Sequence, residues 1–203
     1  ALADLLGPDS RAAYQALLKE KLHVAAAHEG LALLALKEGD REGARREFAA
    51  AMAAGSPGAR CYVEYARLEP DSAKALNALR QAVKRDPKLA EAHFLIAQRE
   101  TDPARKLAAL KSATELNPRR AEWWQALAEE SLAQKDFSAA AKAWTEAEQA
   151  ASDDAARARF RQARLAIERQ RLDYEAAERK RKAEEEARAI EKLKEEARAE
   201  VRA

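Results

Sequence analysis

Ala121-Glu122-Trp123-Trp124-Gln125-Ala126-Leu127-Ala128 sets a large ring four positions, and a leucine one position, before a small residue. The arrangement occurs three times earlier, with His28 and Leu31 before Ala32, Tyr62 and Tyr65 before Ala66, and His93 and Ile96 before Ala97. The four alanines stand 34, 31 and 31 residues apart. Spacings of four and three lie on one face of a helix. Further along each unit a second set recurs at i, i+4 and i+7: Ala44/Phe48/Ala51, Ala75/Leu79/Ala82, Lys106/Leu110/Ala113 and Ala140/Trp144/Ala147. That is the stripe of a second helix. Small residues let the two backbones approach, and the large ones fill the gaps between successive pairs. One pair alone cannot bury its apolar face, so the period predicts a stack of them.

The segment 121–128, followed by Asp136-Phe137, Ala140, Trp144 and Ala147, resembles the tetratricopeptide repeat, as does Leu31-Ala32, Gly39-Asp40, Ala44, Phe48 and Ala51. The resemblance covers residues 25–154. It implies an all-α fold, a right-handed α-α superhelix: a tetratricopeptide-like solenoid of four helix pairs at 25–58, 59–89, 90–120 and 121–154. The two middle units are three residues shorter in the turn between their helices, at Glu69-Pro70-Asp71-Ser72-Ala73 and Glu100-Thr101-Asp102-Pro103-Ala104. Lys106 also stands where the family has a small residue, which predicts a loosened or tilted third pair.

Helix starts agree with this division. Ser56-Pro57, Asp86-Pro87, Asp102-Pro103 and Asn117-Pro118 each join a capping oxygen to a proline suited to the first helical position, and Asp71-Ser72 offers a similar start. No run of alternating β-branched residues occurs, so no strand is expected. Residues 1–24 read as a turn at Gly7-Pro8-Asp9-Ser10 and a capping helix through Tyr14, Leu17, Leu18 and Leu22.

After Pro118 neither glycine nor proline occurs again, and Ser152-Asp153-Asp154 is a good start for one long C-terminal helix, a capping and projecting charged element over 155–203. Its first part carries Phe160, Leu165, Ile167, Leu172 and Tyr174, enough to cover the end of a solenoid. Beyond Glu175 it is nearly all Ala, Glu, Arg and Lys, with Glu175/Arg179, Glu178/Lys182 and Glu184/Arg188 in the favourable i, i+4 order. A heptad through Phe160, Ala163, Ile167, Gln170, Tyr174 and Ala177 breaks at Arg181 and Glu184, and a second patch at Ile190, Leu193, Ala197 and Val201 starts in another register. A solvated single helix is the first reading. A weak or antiparallel coiled coil, giving self-association, and docking on another domain are the alternatives.

Composition narrows the function classes only modestly. With 203 residues, 35% charged and a net charge of +2, there is no strong electrostatic demand for nucleic acid, anionic membrane or acidic substrate. No long apolar run marks a membrane insertion. Cys61 is the one cysteine, which allows no internal disulfide and leaves the compartment open. The chain starts with Ala and ends within a helical pattern, so it reads as a piece of something longer.

The chemistry-bearing constellations are thin. His23 and His28 are spaced by five, not the four that sets two ligands on one helical face, and His28 and His93 fill a repeat packing position. Neither a nucleophile in a catalytic setting nor a glycine-rich phosphate loop is present, so no catalytic residue, metal or cofactor is expected. The basic stripe Arg157, Arg161, Arg164 and Arg171 is interrupted by Glu168 and lacks interleaved aromatics, and it reads as a solvated face rather than a nucleic-acid surface.

What the resemblance implies for function is a concave surface, lined by the first helix of each pair, that grips a protein or peptide segment. Mapped onto this chain, the inward positions are Glu29, Leu33 and Leu36, then Val63 and Arg67, Phe94 and Gln98, and Gln125 and Glu129. Leu33, Val63 and Phe94 are expected to form an apolar patch. The Lys and Asn set with which some family members clamp a terminal carboxylate is absent, so a chaperone C-terminus is not an expected ligand. The reading is a non-catalytic interaction module. The alternatives are a C-terminal accessory array of a larger enzyme, such as a hydrolase, and an assembly protein that self-associates through its tail helix.

Overall fold

The computed structural model describes residues 10–55 and 57–202, and among them are ten helices and no strand. They are α1 (Ser10–Lys19), α2 (Val24–Lys37), α3 (Arg41–Ala53), α4 (Ala59–Leu68), α5 (Ser72–Arg85), α6 (Ala90–Arg99), α7 (Pro103–Leu116), α8 (Ala121–Ala133), α9 (Phe137–Ala150) and α10 (Asp154–Arg202). The chain forms two compact units, Ala1–Trp123 and Trp124–Ala203, so α8 begins in one and continues in the other.

In the first unit α2 packs on α3, α4 on α5 and α6 on α7, and α3–α4 and α5–α6 contacts join successive pairs. The repeat alanines are where the packing is tightest: Ala32, Ala44, Ala51, Ala66, Ala75, Ala82, Ala97 and Ala113 are all fully buried, around Phe48, Leu79 and Leu110. The third pair is the loosest at its first helix, since α6 buries only Ala92 and Ala97 where α4 buries five residues. Helix α1 lies on α2 through Tyr14, whose ring occupies the space that a Cβ on Gly30 would need. Leu22, expected within that helix, is exposed beyond its end, because Lys21 and His23 adopt left-handed φ values of 56° and 47° and stop it. The turn expected from Gly7 lies mostly outside the described residues.

Two kinds of turn join the helices of a pair. The full-length turns use a left-handed residue, Gly39 (φ 83°) or Lys135 (φ 59°), before a capping aspartate, Asp40 or Asp136. The shortened turns are closed by a glutamate instead. Glu69 accepts from the Asp71 amide at 3.1 Å and from Arg45 of the preceding pair at 3.1 Å, while Tyr65 Oη donates to it at 2.6 Å. Thirty-one positions on, Glu100 accepts from the Thr101 and Asp102 amides at 3.2 and 3.3 Å and from Arg80 at 3.0 Å. Each glutamate thus satisfies the backbone of its own tight turn and ties it to the previous repeat.

Caps follow the sequence in part. Asp71 accepts from Ala73 and Lys74, Asp102 from Arg105 with Pro103 at the first helical position, and Asp153 from Ala156. Asp86 and Asn117 are instead the C-caps of α5 and α7. Pro87 and Pro118 follow them in a short turn, so α6 and α8 start three residues later than the prolines predict. Ser56 lies outside the described residues.

In the second unit α9 packs along α10. Phe160 and Ile167 are buried, Phe160 against Trp144 with ring centroids 5.7 Å apart, and Tyr174 meets Phe137 at 5.3 Å. Helix α10 is 49 residues long, about 74 Å. Its surface pairs differ from the expected ones: Glu175 pairs with Arg171, Glu178 with Arg181 and Glu184 with Lys180, because Glu175 and Glu184 have basic neighbours on both sides and Glu178 has two, Arg181 and Lys182, in the following turn. No helix among the described residues is long and apolar enough to cross a membrane.

Candidate protein-binding surface

Seven of the nine inward positions belong to the first unit. Glu29, Leu33 and Leu36 are half-buried on α2, and both leucines pack against the buried cluster of the first two helix pairs. Val63 departs from expectation. It is 1% exposed within that cluster, because α4 buries a whole apolar face from Cys61 to Ala66, so it offers nothing to an occupant. Arg67 on α4 is exposed and pairs with Glu91 on α6. Phe94 is half-buried and stacks on Trp123, with ring centroids 5.0 Å apart and planes at 16°. Gln98 is exposed. Of the three apolar positions expected to form a patch, Leu33 and Phe94 are half-buried and Val63 is not accessible. In the second unit Gln125 Nε2 donates to Glu129 at 2.8 Å, a pair one turn apart on α8.

Beside Glu29 is an open depression of about 570 Å³, lined also by Pro57, Gly58, Ala59 and Arg60 at the start of α4 and by Arg85 and Asp86 at the end of α5. Arg85 lies over the Tyr62 ring at 4.4 Å. Glu29 forms no ion pair among the described residues, and burial pushes its carboxyl above the usual range. Sequence reasoning did not place Arg60 and Glu91 on this surface, although the signal was available: they stand three residues before Val63 and Phe94, one turn upstream on the same helical face.

Cys61, buried on α4 with its thiol 3.9 Å from the Phe48 carbonyl, lies within reach of the Glu29 charge. Burial first, and the nearby Glu29 charge second, push its thiol up to about 12. At 1% exposure it is expected to resist alkylation at neutral pH in the folded chain and to take up one equivalent on unfolding, a difference that intact mass spectrometry reads directly.

The histidines are engaged structurally. His28 Nδ1 is 2.7 Å from Glu47, and His93 Nε2 is 3.0 Å from the Pro87 carbonyl. Among the described residues no three His, Cys, Asp or Glu side chains are grouped to hold a metal. Trp123, rather than the repeat residue Trp124, is the more deeply buried of the two indoles. The basic stripe on α10 is neutralised locally: Arg157 pairs with Asp154, Arg161 with Glu148, Arg164 with Glu148 and Glu168, and Arg171 with Glu175.

Comparison with protein-family models and with curated proteins gives no match. Solved structures do match. YrrB, a tetratricopeptide-repeat protein with an unusual peptide-binding site, superposes at a TM-score of 0.63 and 18% identity, over 75% of this chain and 82% of that one. MamA gives 0.60 at 14% identity over 70% and 86%, and PilF of Pseudomonas aeruginosa gives 0.59 at 19% identity over 75% and 72%. All three are tetratricopeptide-repeat proteins, and the likeness establishes that fold for this chain.

Proposed function

We propose that this chain with the tetratricopeptide-repeat fold is a non-catalytic interaction module that holds a segment of a partner protein against the first helices of its first unit. The observation that carries the reading is Glu29: a half-buried carboxylate with no ion-pair partner among the described residues, at the rim of an open depression lined also by Arg60 and Arg85. Its desolvation already costs the free protein stability, so a cation brought to it gains an ion pair with less water left to remove. Leu33 and Phe94, both half-buried, supply apolar contact for a neighbouring side chain. The fitting occupant is an extended or helical segment that presents a basic residue to Glu29 and an apolar one along the wall. The fold neighbours support a scaffold of this kind, and the peptide-binding site of YrrB supports the choice of a segment as ligand.

The test begins with capture of partners from lysate on the wild-type chain and on a Glu29→Gln/Arg67→Ala variant. It ends with calorimetry of the captured partner's segment on both. Arg67–Glu91 is a surface pair worth little to stability, and Gln at position 29 removes a desolvated charge, so the variant is expected to melt like the wild type. The partner's segment is expected to bind it about tenfold or more weakly. Equal affinity for both would overturn the assignment. Phe94 is left intact in this variant, because its stack on Trp123 makes it part of the packing as well as of the surface.

A further inference from the structure

Past Glu168 every described side chain of α10 except Glu178 is exposed. Among them Leu172, Ile190 and Leu193 are 55%, 53% and 65% exposed. Leu172 and Leu193 are three heptads apart and Ile190 is three residues before Leu193, so all three lie on one coiled-coil seam. Arg179 and Glu186 fall on the same seam, each a whole number of heptads from the leucines.

The charges on this segment are arranged as a palindrome of opposite signs. A basic run at 179–182 meets an acidic run at 184–186. Within the helix Lys180 pairs with Glu184 and Arg181 with Glu185, at 4.0 and 3.6 Å. Arg179 donates only to the Glu175 carbonyl, and neither it nor Glu186 has an ion-pair partner among the described residues. Among the described residues the seam's two charges therefore have no ion-pair partner, whereas Lys180, Arg181, Glu184 and Glu185 beside them are paired. A parallel second copy would set Arg179 against Arg179 and Glu186 against Glu186. An antiparallel copy does the reverse. About a centre between Lys182 and Ala183, Arg179 and Glu186 are equidistant, as are Leu172 and Leu193.

We propose that α10 is a self-association element, in which residues 172–193 of two copies pair antiparallel. Leu172 of each copy sits against Leu193 and Ile190 of the other, and Arg179 against Glu186. The paired stretch is about 33 Å long, and like charges exclude the parallel arrangement. Association is concentration-dependent and weakens with salt, because the two central ion pairs are solvent-accessible.

Sedimentation equilibrium of the full chain over a wide concentration range tests this. The wild type is expected to approach a dimer. Arg179→Glu or Glu186→Arg alone weakens dimerisation by about tenfold or more, and an equimolar mixture of the two variant chains restores it. Orientation is read with single Leu172→Cys and Leu193→Cys chains. Mild oxidation of their mixture is expected to give the crosslinked heterodimer, whereas the Leu193→Cys chain alone gives none. Cys61 stays buried throughout. A wild type that is monomeric at every concentration, a dimer indifferent to both charge reversals, or crosslinking of the Leu193→Cys chain with itself would each overturn the proposal. Circular dichroism checks that the variants keep their helix content. The altered residues are remote in sequence from Glu29 and Arg67, so failure here leaves the groove reading standing.

Discussion

Glu69→Ala is expected to lower the stability of the first unit by about 3 kcal/mol, the usual cost of removing one partner from a buried, hydrogen-bonded ion pair. The side chain is only 3% exposed and gathers three donors: the Tyr65 hydroxyl, the Arg45 guanidinium and the Asp71 amide. Its loss strands a buried phenol and a partly buried cation, and unties the α4–α5 turn from α3. Glu100→Ala, at the matching place in the next repeat, is expected to cost only about 1 kcal/mol. Its arginine, Arg80, is half exposed and recovers water when released. Hydrogen exchange of the α4 and α5 amides separates the two variants better than a single global melt does, because repeat arrays unfold locally.

The same cluster predicts a pH profile. Hydrogen bonding from Tyr65, outweighing the effect of burial, holds the Glu69 carboxyl below its ordinary value. A depressed carboxyl contributes stability that is present above its unfolded value of 4.5 and is lost as pH falls through the folded one. Burial chiefly, and then the bond to Glu69, pushes the Tyr65 phenol up to about 12. A raised phenol contributes stability that is complete below 10 and is lost as pH rises through about 12. Glu69→Gln keeps part of the hydrogen bonding but removes the charge. It is expected to lose less than Glu69→Ala and to flatten the acid limb.

The repeat was legible because its physics is periodic. Alanines that must admit a second helix backbone, and rings that must fill the space between pairs, recur at fixed spacing whatever else the sequence does. The pair expected at 59–89 was read from Tyr62, Tyr65 and Ala66 and from Ala75, Leu79 and Ala82, and α4 and α5 lie within those bounds. What the sequence did not disclose was how a turn three residues short could close. The glutamate that closes it acts through Arg45, twenty-four residues earlier, and nothing in local spacing announces that bond. The prolines misled for a related reason. Asp86-Pro87 and Asn117-Pro118 carry the same dipeptide signal as Asp102-Pro103, but they end one helix and turn before the next. For the surface, the family resemblance placed Val63 among the groove positions. Whether a position at the edge of a stripe is wet depends on the neighbouring helices, and an apolar side chain there is driven under.

In the second unit the largest effect is expected from Phe160→Ala, a loss of about 3–4 kcal/mol. Phe160 is 1% exposed, and its ring lies against Trp144, so truncation removes an aromatic pair and leaves a hole between two helices whose backbones cannot collapse freely. Leu193→Ala, the same kind of deletion thirty-three residues further along the same helix, is expected to cost a monomer almost nothing, because that side chain is 65% exposed already. The contrast locates where α10 stops being held by packing. Phe160, Ile167 and Tyr174 fasten its first part to α9 and the turn before it, whereas the remainder rests on helix propensity and pairs such as Arg181–Glu185, each worth a few tenths of a kcal/mol. Hydrogen exchange on Phe160→Ala is therefore expected to accelerate over 154–174 and α9 together. Exchange over 175–194 should be fast in both proteins when they are dilute and should slow in both at high concentration. Uniform acceleration along all of α10 would mean instead that the far half depends on the near half for its helicity.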